Sequence, residues 1–323
     1  LEMSSVQHLQ HKREELQQQY DLLSEKIKRL RTDSAIQAGT LVAFQLDKEI
    51  ERFESQRDRL AKQIDNLESE RIHIELFRLN YVKQVRLFRE FIEQNRIGAF
   101  LVHGSPEHGQ IFLLKRLLNA IPDGCVTPPI EFHLSRKAFR TDIKALWREL
   151  GRQIGVQDFS LPEIARNVMS QLKNQHVILV FHDMDCIEED YLDELIREFW
   201  LPLVNSTQEA IYSSNEFFLL MFLVDQDGCV STWNVAFADE FEIMWEPCTP
   251  IRLPIIDRLS DQVLVNWMEN AIDALPTKVT KKIDYTVEII LQNSEGVPER
   301  VFAQIFGLCG YSWEQGEDRW LKL

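Results

Sequence analysis

The sequence predicts an α/β protein in three parts: a long antiparallel helical hairpin, a parallel sheet with helices on both faces, and a small helical lid. Three observations carry this. Two matched apolar stripes at helical spacing fill residues 1–77. Four short apolar runs alternate with amphipathic stretches through residues 78–240. Residues 241–323 return to helical spacing after a proline-rich stretch.

The first stripe is Leu9, Leu16, Tyr20, Leu23, Ile27 and Leu30, at steps of seven, four, three, four and three. Such spacing puts one apolar line on a long helix, with charged and Gln residues elsewhere. Thr32-Asp33-Ser34 and Ala38-Gly39-Thr40 are residues that cap and turn helices, so the helix ends there. Leu46, Ile50, Phe53, Leu60, Ile64 and Leu67 form the second stripe, with Arg57 where an apolar residue was due. Each arm would be about 40 Å long at 1.5 Å per residue. Two helices bury little by themselves, which points to pairing with another copy or with a helical partner.

From Ile72 the pattern changes, and Leu79-Asn80-Tyr81 starts an amphipathic helix through Val85, Phe88 and Ile92 that ends near Asn95. Residues 98–103, 128–133, 176–181 and 217–224 read as strands, apolar on both faces as buried parallel strands are. Helices are expected over 113–120, 142–154 and 162–173. Residues 247–254, rich in proline, suit a crossover. Ser260 can cap a helix through Val263, Trp267, Ile272 and Leu275, and further helices are expected over 281–292 and 298–309.

Composition excludes some functions. With 45% hydrophobic and 27% charged residues the chain reads as an ordinary globular, cytoplasmic protein, and its net charge of −15 opposes binding nucleic acid through phosphates. The apolar run 217–224 is too short to span a bilayer, so no membrane role is expected. Cys125, Cys186, Cys229, Cys248 and Cys309 have no close pair and are expected to be small buried thiols. Leu1-Glu2 ahead of Met3 read as a cloning remnant.

The stretch Gly104-Ser105-Pro106-Glu107-His108-Gly109-Gln110-Ile111 has the placement of a phosphate-binding Walker A loop: after a buried strand, before a helix, with glycines five apart. The sheet unit is therefore expected to be P-loop NTPase-like. Yet Gln110 stands where lysine should neutralise the β- and γ-phosphates, and Ile111 where Ser or Thr should hold Mg²⁺. Glu107 adds negative charge. Phosphoryl transfer depends almost wholly on such electrostatic groups, so hydrolysis is not expected. A phosphate held here at all would meet Gly104, Gly109 and Gln110, weakly and without Mg²⁺.

The run 177–181 followed by His182-Asp183-Met184-Asp185 matches a Walker B strand, with Asp183 where a Mg²⁺-associated carboxylate would lie and Asp185 beside it. Glu188, Glu189 and Asp190 suit the start of a helix. Asp225 and Asp227 follow the fourth strand where a γ-phosphate sensor often sits, which suggests that none is present. Gly296-Val297-Pro298 can be a turn with proline at the first helical position. His103, His108 and His182 could converge near the ends of adjacent strands, but no Ser or Cys nucleophile accompanies them. No catalytic residue, metal ligand set or cofactor is assigned.

These motifs together, with Leu253-Pro254 ahead of Leu259-Ser260-Asp261, resemble the STAND class of signalling NTPases. Leu79-Asn80-Tyr81-x-x-Gln84 leading into 98–104 and Gly109-Gln110 resembles, more narrowly, the inactive STAND domain of bacterial and especially cyanobacterial conflict systems. The resemblance runs over residues 79–313. It implies a lid whose Gly296-Val297-Pro298 faces the nucleotide pocket, and a sensor or adaptor role linked to effectors such as proteases. Residues 40–51 also resemble N-terminal segments beside cyanobacterial signalling domains. Active STAND proteins carry a winged helix and repeat arrays, for which residues 314–323 leave no room; sensing is then expected to use the core, the hairpin or another chain.

The expectation is thus a non-catalytic adaptor or scaffold that homo-oligomerises or docks to an effector through its hairpin. One alternative is a slow NTPase whose missing cation comes from Lys115, Arg116 or a neighbouring subunit. The other is a purely structural coiled-coil oligomerisation protein.

Overall fold

The computed structural model describes residues 2–39, 41–122, 128–214, 216–240, 246–247 and 249–314. Contacts divide it into two compact units. One holds Leu1–Leu79, Gln262–Val287 and Ile305–Gly316; the other holds Asn80–Asp261 and Glu288–Gln304.

In the first unit, α1 (Glu2–Ile36) and α2 (Leu41–Leu79) form the hairpin. Their register is antiparallel. Arg13 bonds Glu68 at 2.8 Å, Arg31 pairs with Glu54, and Ser34 Oγ donates to Asp47 at 2.7 Å. Ile27, Ala43, Ile50, Ile64 and Leu67 are buried along the seam, while Leu9, Leu16, Tyr20 and Leu23 are only half-buried. At the turn Ile36, Leu41, Val42 and Phe44 are exposed. Thr40 lies outside the described residues. Beyond the stripe, Ile72, Leu76 and Leu79 keep helical spacing and are buried, so α2 runs on to Leu79, two residues past the hairpin's expected end.

The C-terminal helices contribute to both units. They are α9 (Asp261–Asn270), α10 (Thr277–Thr280), α11 (Ile283–Ser294) and α12 (Pro298–Cys309). Within the first unit Trp267 Nε1 donates to the Glu75 carbonyl at 2.8 Å, Arg71 donates to the Asp273 carbonyl at 2.8 Å, and the His73 and Phe306 rings meet edge to face at 4.5 Å.

The second unit is built on a five-stranded sheet in the order β2-β3-β4-β1-β5, parallel throughout. β1 (Ile97–His103), β3 (Val177–His182) and β4 (Leu219–Asp225) are fully buried, which is why they read as unbroken apolar runs. β2 (Ile130–His133) starts after Pro128-Pro129, later than expected, because proline has no N–H for the ladder. β5 (Ile251–Arg252) is a correction: it pairs with β1 through Phe100 and Leu101, inside the stretch expected to be only a crossover. A strand of two residues, within the three that separate Pro250 from Pro254, gives no periodicity, and proline confines such a strand to the edge.

Helices cover both faces. α3 (Val82–Gln94) lays Phe88 and Phe91 on Phe100, whose ring stacks with Phe222 at 5.6 Å. The opposite face, with Leu101, Phe132, Phe181 and Met221, packs against α5 (Ile143–Gln153), α6 (Leu161–Gln171), α7 (Glu189–Leu195) and α8 (Leu201–Ser214). Between α7 and α8 one π-helical turn, Ile196–Trp200, buries Phe199 and Trp200. Pro202 explains it. Lacking an N–H, it cannot bond the Glu198 carbonyl, which accepts Trp147 Nε1 at 3.3 Å instead.

Cys186 and Cys229 are half-buried rather than buried; Cys309 is buried, and all three thiols are free. Cys125 and Cys248 lie outside the described residues. Among the described residues no helix is long and apolar enough to cross a membrane.

Candidate functional site

The parallel strands end together at His133, His182, Asp225 and His103, the edge at which open α/β sheets hold their ligands. From β1 the chain passes through Gly104 and Gly109 into α4 (Gln110–Ala120), as the Walker-like spacing predicts. Gly109 has φ +80° at the start of α4. Inside the loop lies the Gln110 side chain. Its Nε2 donates to the carbonyls of Gly104 at 2.8 Å, Ser105 at 3.0 Å and Gln226 at 3.1 Å. Three acceptors therefore converge on the nitrogen that replaces the lysine ammonium. Ile111 is half-buried and offers no oxygen.

Two elements fasten this loop. Tyr81, buried and at φ +70°, donates its hydroxyl to the Gly109 carbonyl at 3.0 Å and lies 3.3 Å from that of His108. On the other side runs the segment after β5. His103 Nε2 donates to the Leu253 carbonyl at 2.8 Å, His108 Nδ1 to that of Ile256 at 2.7 Å, and Gln84 Nε2 to Pro254 and Ile255 at 2.9 and 3.0 Å. Tyr81 and Gln84 thus act as clamps, and His103 and His108 do not meet His182 as a group.

The Gly-x-Pro turn closes the third side. Gly296 has φ +74°, and a Cβ there would stand 2.6 Å from the Leu259 carbonyl oxygen. Pro298 opens α12, and the next N–H, of Glu299, donates to the Glu107 carbonyl at 3.1 Å. Arg300 Nε holds the Glu107 carboxylate at 2.8 Å, so the loop's own acid meets the positive end of α12.

Asp183 and Asp185 are directed elsewhere. Asp183, at φ +61°, accepts Ser135 Oγ at 2.6 Å and lies 3.7 Å from His133 Nδ1. Asp185 sits in a single 3₁₀ turn, Met184–Cys186, with Cys186 Sγ at 3.8 Å. Asp225, fully buried, uses both oxygens on the turn after β4, accepting Gly228 N at 2.9 Å and Val230 N at 2.8 Å. Burial raises its carboxyl above the usual range, opposed by these two N–H groups. Arg116, considered as a relocated cation, donates to the Asn80 carbonyl.

Sequence reasoning did not single out Glu131 and His133. The register of β2 on β3 places His133 beside His182, with rings stacked at 4.8 Å. Only strand pairing brings them together.

Residues 76–224 match the family model described as inactive STAND. That segment is an inactive STAND domain. It runs from the end of α2 through β4 and contains the loop, Tyr81 and Asp183, whereas β5 and the Gly296-Val297-Pro298 turn lie beyond it. The crystal structure of Cdc6p from Pyrobaculum aerophilum is similar at 12% identity and a TM-score of 0.39, covering 72% of this chain and 60% of that one. The chain thus matches less than two thirds of the Cdc6p length. Comparison with curated proteins finds no match.

His103 gives the STAND domain a pH dependence. Burial lowers its pKa from 6.5, opposed by the bond to Leu253, and Nδ1 is buried without a partner. The unfolded chain therefore takes up the proton first. Stability from this group is full above pH 6.5 and is lost as pH falls through the folded-state value. Urea unfolding of His103→Gln should show a smaller loss between about pH 7.5 and 5.5 than the wild type does; an equal loss would remove His103 as the cause.

Proposed function

We propose that the chain is a non-catalytic signalling adaptor of a bacterial conflict system, working in the cytoplasm with an effector protein as partner. The observation that carries this is the polarity of the loop. A phosphate cradle needs N–H donors turned inward, but here the carbonyls of Gly104, Ser105 and Gln226 turn to Gln110 Nε2. A phosphate entering that space would meet acceptors, with no lysine to offset them. The Glu107 carboxylate is already held at the start of α12 by Arg300, and the Glu107 backbone carbonyl by Glu299 N. A nucleotide would have to displace a side chain whose charge repels it. The fold is kept as an architectural centre, without a nucleotide cofactor.

The hairpin is the docking element, through which the chain pairs with a second copy. Its exposed turn residues Ile36, Leu41, Val42 and Phe44 support this, as apolar surface gathered at one end of a charged helix pair. The net charge of −15 speaks against nucleic acid as a partner.

Calorimetry and light scattering on the full chain test both halves. ATP, ADP and GTP should bind weakly or not at all, with no gain from Mg²⁺, and the scattering mass should exceed that of a monomer. Tight Mg²⁺-dependent nucleotide binding would overturn the adaptor reading. A monomer at all concentrations would overturn pairing through the hairpin.

A further inference from the structure

Glu131 and His133 are two apart on β2 and so share one face of the sheet, the face opposite Phe132. The parallel register sets His133 beside His182 of β3, while Phe132 and Phe181 stack on the other face at 4.6 Å. Three potential ligands are thereby gathered at one sheet edge. The Nε2 atoms of His133 and His182 each lie 3.9 Å from Glu131 Oε2, and one donor atom from each of the three residues falls within 4.8 Å of the others.

We propose that Glu131, His133 and His182 form a binding site for one divalent transition metal of the Zn²⁺ class, a site independent of the nucleotide-type loop. Two imidazoles and a carboxylate are the donor set of zinc sites that keep a fourth position open. Mg²⁺ and Ca²⁺ require more oxygen ligands than this edge supplies. With ligand bonds of about 2.0–2.2 Å, tetrahedral neighbours stand roughly 3.4 Å apart. The 3.9 Å separations then close by small side-chain rotations.

Two further observations point to a ligand. His182 is 9% exposed, and its Nε2 is buried with no hydrogen-bond partner, a condition that buried polar atoms rarely tolerate. His133 turns Nδ1 toward Asp183 Oδ2 at 3.7 Å, and Ser135 Oγ fixes that carboxylate at 2.6 Å. A carboxylate facing Nδ1 at this distance favours the proton there, which would leave the Nε2 lone pair for a metal. Asp183, at the Walker B position, thereby becomes a positioning residue for His133. Glu131 is exposed and provides the entry side. The metal would bind the end of edge strand β2 to β3.

The test uses the full chain, stripped with EDTA and titrated with Zn²⁺ by calorimetry and with Co²⁺ by visible absorption. One equivalent should bind, with cobalt d–d bands of a low-coordinate nitrogen–oxygen site. His133→Gln and His182→Gln should each abolish that equivalent. Asp183→Asn should weaken it by roughly 10- to 100-fold. Glu131→Gln lies on the exposed side and leaves the core untouched, so its loss of affinity is readable even if a histidine variant fails to fold. Absence of a stoichiometric equivalent in the wild type would overturn the site. So would wild-type affinity in Glu131→Gln, or a sulfur-to-cobalt band showing that cysteines hold the ion.

Discussion

Tyr81→Ala is expected to destabilise the STAND domain by about 3–5 kcal/mol, the range for deleting a large buried ring, whereas Tyr81→Phe should lose only about 1 kcal/mol. The ring is 2% exposed, and its hydroxyl reaches the Gly109 carbonyl at 3.0 Å. Alanine leaves a cavity beneath the loop; phenylalanine removes one hydroxyl. The φ of +70° is the same for all three side chains, so backbone strain does not separate them. Urea unfolding followed by circular dichroism gives both numbers. A Tyr81→Ala loss near that of Tyr81→Phe would mean that the hydroxyl, and not the wedge of the ring, holds the loop.

The sheet was legible because its central strands have both faces covered. Ile97–His103, Val177–His182 and Leu219–Asp225 carry almost no polar residue, and at six or seven residues each they are of strand rather than helix length. The hairpin was legible for a different reason. Its stripe residues meet across one seam, so the heptad-like spacing survives even where burial is partial. β5 was not legible, because two residues between prolines become a strand only through the free edge of β1. The π-helical turn at Ile196–Trp200 was also hidden: it follows from Pro202 acting on Glu198, together with Trp147 supplied by another helix.

The candidate site divides in the same way. The glycine spacing of the loop and the absence of lysine are local facts, readable at Gly104, Gly109 and Gln110. That the Gln110 amide fills the loop requires Gln226, which arrives from the end of β4. Asp183 was legible as an acid after a buried strand, but its partners His133 and Ser135 come from β2 and the turn beyond it. Sequence position supplies the residue types; strand order decides which of them meet.

Gly109 tests the clamp from the opposite side. At φ +80° an alanine costs about 1–2 kcal/mol from the backbone alone. Its Cβ would also stand 2.3 Å from Tyr81 Oη and 2.9 Å from Phe112 Cδ2, closer than real Cβ contacts allow. Overpacking of that kind adds about 1–3 kcal/mol, so Gly109→Ala should lose roughly 2–5 kcal/mol in urea unfolding. The nearer obstacle is one atom, the Tyr81 hydroxyl oxygen. Tyr81→Phe removes it, and the double variant should therefore be more stable than the sum of the two single losses predicts, by about 0.5–2 kcal/mol. Strict additivity would show that the alanine is accommodated by movement of the loop, and that Tyr81 does not fix the conformation of Gly109.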